Sequence, residues 1–226
     1  PLDAVFTKPL AAERLGYLLD AKGIKVEPEF MTGEVNGNQL VSYDGREVSF
    51  DLLVSVPTHS GAEFVETSGI GDELAFIPTD KHTLAATGLQ DVFVIGDATD
   101  LPSSKAGSVA HFQSEVLTDN LLSHIQGARP AASFDGHANC FVETGAGKAM
   151  LIDFNYEVEP LPGSFPMAGI GPFSLLKETR TNHLGKLGFR WIYWNGLLPA
   201  KPIPLGHEMS MSGKQTVNAS NNATTA

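Results

Sequence analysis

The sequence predicts an α/β chain: fragments of an open, parallel-type sheet with its helices, followed by a small C-terminal α+β region carrying amphipathic helices. Three observations predict it. Residues 52–56 and 92–95 are continuous apolar runs of strand length, the pattern of strands buried on both faces. The second run ends in Gly96-Asp97 and is followed, after a Pro-Ser-Ser-Lys loop, by a helical pattern over residues 108–125. From Asn139 the character changes to a hairpin, a proline-rich connector and a second helical pattern.

Taken in order, Leu10, Leu15, Leu18 and Leu19 lie near helical spacing, and Gly23 follows Lys22 as a C-terminal cap. Residues 24–30 and 31–35 read as short strands. Asn36-Gly37-Asn38 turns the chain into residues 40–43, and Asp44-Gly45 turns it again into 47–50. Pro57 closes the apolar run 52–56, and glycines punctuate a loop-rich stretch to residue 90. In the helix over 108–125, Val109, Phe112, Val116, Leu117, Leu121 and Ile125 line one side. Gly127 and Pro130 end it. Residues 140–143 and 149–155 form a hairpin around Gly145-Ala146-Gly147, four prolines stiffen 160–172, and a helix is expected over 173–195.

The 226 residues allow one large domain or two small ones, and 42% hydrophobic residues can bury a core. A net charge of −11 argues against a general nucleic-acid binder, because neutralising phosphates needs clustered cations. No apolar run approaches the roughly 18–20 residues of a membrane-spanning helix. Cys140 is the sole cysteine, which excludes an internal disulfide framework and any multi-cysteine metal site. The chain opens at Pro1 as if inside a domain and reads as a piece of something larger.

The sharpest local signal is Asp91-Val92-Phe93-Val94-Ile95-Gly96-Asp97. In open α/β sheets ligands bind beyond the carboxyl ends of strands. Gly96 permits close backbone approach, and the Asp97 carboxylate can accept hydrogen bonds from a ribitol hydroxyl. The backbone N–H groups at the next helix start can face an anion or a flavin carbonyl. A simple turn with an N-cap explains the dipeptide equally well.

In context, the stretch from Leu74 to Asp80, then Val92 to Thr99, then Lys105-Ala106-Gly107-Ser108-Val109-Ala110, resembles the second FAD-binding motif of the two-dinucleotide-binding-domain flavoproteins. The resemblance implies Rossmann-like dinucleotide-binding fragments. It assigns the ribityl-phosphate contact to Asp97 beside Gly96, and brings Lys105, Ala106, Gly107, Ser108 and Val109 to the isoalloxazine ring. Within that superfamily the chain is similar to the sulfide:quinone oxidoreductases, through its first nine residues, the run 52–59, the stretch 137–143 and the strand 148–156. The family's opening Gly-x-Gly-x-x-Gly loop is absent, so the sequence looks like a C-terminal portion. On that basis residues 1–77 are the remainder of an NAD-binding-like domain and 78–130 the C-terminal segment of the FAD-binding domain. Residues 131–213 form a quinone- and membrane-facing region, and 214–226 a disordered tail.

The resemblance gives Cys140 the role of a sulfur carrier facing FAD, its partner cysteine lying outside this sequence. Thiolates are nucleophiles that exchange through attack on disulfides. Read without the resemblance, a lone cysteine in an apolar strand is a small buried hydrophobe. Lys186 matches a family lysine near flavin and quinone, where a cation stabilises negative charge. It reads equally as a solvated surface lysine. His59, His111 and Glu143 are candidate proton carriers of lower weight.

Leu184, Leu187, Trp191, Trp194 and Leu198 share one helical face, with Lys177, Arg180, Lys186, Arg190 and Lys201 nearby. Trp and cations beside an apolar stripe are the composition of a helix lying in the lipid headgroup plane. The expected partners are therefore sulfide, a quinone and a membrane surface, with peripheral attachment to the cytoplasmic membrane; a homo-oligomer stays open. Two alternatives stand beside this reading. One is a type II NADH:quinone oxidoreductase, which needs no cysteine. The other is an inactive fragment that binds a membrane or a partner and holds FAD weakly or not at all.

Overall fold

The computed structural model describes residues 2–199, 201 and 206–216. The chain divides into two compact units, Pro1–His59 and Ser60–Ala226.

In the first unit, α1 (Pro9–Ala21) begins on a proline, whose missing N–H costs nothing in a first helical turn. Gly23, at φ 69°, follows its end. Strands β1 (Thr32–Asn36), β2 (Gln39–Ser42) and β3 (Glu47–Ser49) form an antiparallel sheet in chain order. Gly37 supplies the positive φ of the first turn. Residues 24–30 are not a strand. They are fastened by Arg46 instead, which pairs with Asp44 and donates to the carbonyls of Pro28 and Glu29. The expected buried strand at 52–56 is also absent: Leu52, Val54 and Val56 are 82%, 84% and 76% exposed. An apolar run becomes a buried strand only between neighbours, and no described strand pairs with this one.

The second unit opens with α2 (Glu63–Ser68), whose Val65 packs with Ala75, Ile77, Ala86 and Val94 in a small core. Gly61 lies so close to this core that a Cβ would sit 1.6 Å from the Ala75 carbonyl oxygen. Val65, Ala75 and Ile77 thus share a core with Ala86 and Val94. Among the described residues, 92–95 pair through one bridge, Ala85 with Phe93, flanked by the Ala86 N–H donating to Val92 and the Val94 N–H donating to Leu84. A 3₁₀ turn, Gly96–Ala98, ends them.

Helix α3 (Gly107–Ile125) buries Val109, Phe112, Gln113, Val116 and Asn120, while Leu121 and Ile125 are exposed. Its inner face is therefore partly polar, and most of the polar groups are used, the Gln113 amide nitrogen being without a hydrogen-bond partner among the described residues. Asn120 donates to the Thr83 and Ala132 carbonyls and accepts from the Ala132 N–H, and Gln113 accepts from the Gly96 N–H. Next come β4 (Ala138–Gly145) and β5 (Lys148–Phe154), paired antiparallel through the expected glycine turn. Strand β7 (Phe173–Leu175) pairs parallel to β5 and antiparallel to β6 (Gly163–Phe165), and β8 (Glu178–Thr179) adds to β5.

The second long helix begins later than its apolar spacing suggested. Residues 173–179 are largely strand, and α4 (Arg180–Ile192) starts where the Thr179 hydroxyl accepts from the Asn182 N–H. Gly185 lets α4 approach the sheet, since a Cβ there would lie 2.3 Å from the Phe173 ring. A π-type turn, Tyr193–Leu197, continues the helix. The expected tail is not loose at its start: Lys214 bridges Gly163, and its side chain is 1% exposed. Residues 217–226 lie outside the described residues.

Candidate functional site

The β4–β5 register sets Cys140 opposite Ile152 and Asn139 opposite Asp153. Helix α3 lies against this hairpin at its N-terminal turn, where the Ser108 hydroxyl donates to the Asn139 carbonyl at 2.9 Å. Helix α4 and the π-type turn close the far side. Between them is a cleft of about 360 Å³. Gly107, Ser108, His111 and Phe112 of α3 form one wall, and Asn139, Cys140 and Phe141 form the floor. Lys186, Phe189, Tyr193 and Leu197 form the other wall. The lining is apolar apart from a few polar groups around one thiol, the usual make-up of a site for an apolar ring.

Burial pushes the Cys140 thiol above its ordinary value, a hydrogen bond with Ser108 opposes the shift, and the charge of Asp153 adds to it. The thiolate is the reactive form, so alkylation of Cys140 rises with pH beyond the range of an exposed cysteine. The one Ser108 proton is given to the Asn139 carbonyl, so the hydroxyl favours the thiolate by turning from that carbonyl to the sulfur. Ser108→Ala is expected to slow iodoacetamide alkylation at pH 8 by about threefold, read by intact mass of the single adduct.

Lys186 reaches the cleft with its ammonium 3.7 Å from Glu143, which also holds His183 at 3.0 Å. Glu143, on β4, thereby ties α4 to the floor. His111 stands 3.4 Å from Glu115, whose other oxygen meets His207 at 3.2 Å.

The remaining sequence candidates do not line this cleft. Gly96 has φ 66° and packs against Ala110, with room for a Cβ at 3.6 Å, so only the left-handed backbone demands glycine there. Asp97 is exposed beside it. The Lys105 ammonium donates to the Asp97 and Thr99 carbonyls and lies 4.2 Å over the Phe76 ring. Burial lowers its proton affinity against the pull of nearby aspartates. Lys105 therefore braces the Gly96–Ala98 turn. Ala106 is the extended N-cap of α3, with no side-chain cap over the first N–H groups, and Val109 is buried beneath the helix. His59 is the last residue of the first unit, outside the unit that holds the cleft.

Sequence reasoning missed a buried cluster behind the floor. His137 Nε2 is 2.8 Å from Asp153, Asn139 donates to the same oxygen at 3.1 Å, and Lys214 pairs with the other oxygen. Burial alone would push the Asp153 carboxyl up, and the bonds and charges of His137 and Lys214 outweigh it and hold the carboxyl below its ordinary value. The His137 ring stacks on Phe112 at 4.3 Å. Only the hairpin register and a contact 61 residues away in sequence bring these groups together, and neither leaves a local motif. Among the described residues no group of His, Cys, Asp and Glu could hold a metal ion, and no helix is long and apolar enough to cross a membrane.

Fold and cleft together define a mixed α/β protein with a thiol at the floor of an apolar site. No protein-family model matches the chain. The mitochondrial sulfide:quinone oxidoreductase of Schizosaccharomyces pombe is 36% identical over 154 residues, 66% of this chain and 32% of that protein. That of Mus musculus is 30% identical over 152 residues, 67% of this chain and 32% of the relative. That of Dictyostelium discoideum is 29% identical over 81% of this chain and 38% of the relative. The sulfide:quinone oxidoreductase of Aquifex aeolicus has the same fold at TM-score 0.66 and 14% identity, over 83% of this chain and 45% of that one. A chain in the Tetrahymena thermophila mitochondrial ATP synthase matches at TM-score 0.60 and 23% identity, over 85% of this chain and 45% of that one. This chain is homologous to the sulfide:quinone oxidoreductases, and it spans about a third of the length of the curated relatives it matches.

Proposed function

We propose that the chain supplies the sulfur-carrying thiol and the quinone-side wall of a sulfide:quinone oxidoreductase. The observation that carries this reading is the meeting of Cys140, the N-terminus of α3 and Lys186 in one apolar cleft. The residues suit the ring end of FAD. The uncapped first turn of α3 offers N–H groups to a ring carbonyl, the cleft has the volume of a ring system, and exposed Asp97 follows the positive-φ Gly96. FAD, when bound, supplies a two-electron acceptor.

The chain's own groups do the rest. Cys140 carries one sulfur of a disulfide with a second thiol from elsewhere in the whole protein. Hydrosulfide attacks that sulfur, an S–S bond to Cys140 forms, and the second thiol leaves as a thiolate that holds the electron pair. Ser108 orients the Cys140 sulfur. Lys186, fixed by Glu143, places positive charge where negative charge develops on a quinone oxygen. Phe141, Phe189 and Tyr193 exclude water and receive the quinone ring.

The exposed apolar face of α4 supports seating on a membrane surface. Leu184, Leu187, Trp191, Trp194 and Leu198 are all between 58% and 69% exposed. This wall of the cleft would then open toward the lipid in which a quinone dissolves.

The test is Cys140→Ser in the full-length protein that contains this segment. Sulfide-dependent quinone reduction is expected to fall at least a hundredfold, the scale on which a lost nucleophile is felt. Unchanged sulfide oxidation removes the sulfur-carrier role, and NADH-driven quinone reduction in its place favours a hydride-transfer enzyme.

A further inference from the structure

Three ionisable side chains form a line from the cleft to the surface. His111 of α3 lines the cleft. One helical turn on, Glu115 sets one carboxylate oxygen 3.4 Å from His111 Nε2 and the other 3.2 Å from His207 Nδ1. That nitrogen of His111 is buried and makes no hydrogen bond among the described residues, while the Glu115 and His207 side chains are 37% and 29% exposed. His207 lies 92 residues beyond Glu115 in sequence. The segment that brings it is fastened at further points: the Met209 N–H donates to Asp135, the Ser164 N–H donates to the Gly213 carbonyl, and Lys214 pairs with Asp153.

We propose that His111 is a proton donor to a quinone in the cleft, and that Glu115 and His207 return the proton from solvent. The inference rests on the reading of this cleft as the quinone's. A quinone becomes a quinol by gaining two electrons and two protons. Hydrosulfide oxidised to the level of elemental sulfur releases two electrons and one proton, so one proton must come from water. Negative charge left on a quinone oxygen in an apolar cleft is costly, which makes a donor at that oxygen part of the reaction. The titratable groups lining the cleft are His111 from α3, Cys140 from β4, Lys186 from α4 and Tyr193 from the turn after it. Cys140 is committed to sulfur, and the Lys186 ammonium is held by Glu143. Of these four side-chain types, imidazole is the one whose ordinary titration lies near neutrality, and it can take a proton on one ring nitrogen while releasing one from the other. In each turnover an N–H bond of His111 breaks as the quinone O–H bond forms, and a proton passes from Glu115 to the ring; no electron moves along this path. The 3.4 Å contact is of the kind that tightens when reactants bind. Glu115 in turn takes its proton from His207 or from water at its exposed edge. A pair that served only to fasten the segment carrying His207 would need Glu115 and His207, but no imidazole facing the cleft.

The test uses the full-length protein that contains this segment, loaded with FAD, reduced by light in advance and mixed with a short-chain quinone in a single turnover. Sulfide and Cys140 are bypassed, so this assay and the Cys140→Ser assay fail independently. His111→Ala is expected to slow quinol formation about a hundredfold, and added imidazole to recover about tenfold of that loss. Glu115→Gln, which keeps the shape but cannot carry the proton, is expected to slow it about tenfold and to make the rate rise with buffer concentration. A second readout needs no turnover: in the resting oxidised protein, the ring-nitrogen resonances of both His111 and His207 shift in Glu115→Gln. Should His111→Ala fail to fold, Glu115→Gln carries the test. Quinol formation at the parent's rate in either variant overturns the proposal. So does a slow His111→Ala that imidazole does not rescue, or a His111 resonance that Glu115→Gln leaves in place. A parent that makes no quinol from the reduced state overturns the quinone reading and this proposal together.

Discussion

Replacing Phe112 by alanine is expected to lower the unfolding free energy of the chain by about 3–5 kcal/mol, measured by urea denaturation. The ring is fully buried on the inner face of α3. One side of it forms part of the cleft wall, and the other stacks on His137 with the planes 5° apart. The substitution therefore removes a large apolar contact and also unseats the imidazole that donates to Asp153. A buried carboxylate left short of a donor adds to the cost of the cavity. Phe112→Leu keeps most of the volume and is expected to cost only about 1–1.5 kcal/mol. A loss below about 1 kcal/mol for the alanine variant would show that the cleft wall does not rest on this ring.

The second large effect concerns the exposed face of α4. Trp191 on α4 and Trp194 on the turn that continues it are 69% and 58% exposed, and Arg180, Lys186 and Arg190 lie on α4. If the face enters a headgroup layer, each tryptophan contributes about 1.5–2 kcal/mol of burial. The double variant Trp191→Ser, Trp194→Ser should then lower partitioning onto anionic phospholipid vesicles by several hundredfold in a sedimentation assay. The helix cations make binding to the same vesicles weaker as salt rises, because exposed charges are screened. Partitioning that is equal in the parent and the double variant would show that this face has another use.

Much of the second unit was legible because its signals are local. The glycines at 145 and 147 turn the hairpin, and the 108–125 pattern is the helix Gly107–Ile125. Cys140, Gly107, Ser108 and Lys186, singled out from the sequence, do line one cleft. The errors share one cause. Apolar runs at 52–56 and 92–95 state what a segment could bury, and only neighbouring strands decide whether it does so. At 173–179, a short apolar stretch fits either period, and pairing with β5 and β6 made it strand. The resemblance brings Lys105 to a flavin ring, and the structure gives its ammonium to two carbonyls and the Phe76 ring. His137, Asp153 and Lys214 gave no sign, because a cluster assembled by strand register and a distant segment has no spacing to detect.

One consequence of the single cysteine lies in what oxidation can do to the chain. These 226 residues hold one sulfhydryl, so any disulfide at Cys140 must join a sulfur outside them, from elsewhere in the whole protein or from another molecule. The access route selects the visitor. Aromatic rings and a helix flank the sulfur, so slim reactants pass while the cysteine of another folded protein is kept at a distance. Air-grown covalent dimers should accordingly be scarce, and adducts with low-molecular-weight thiols common, in the same preparation.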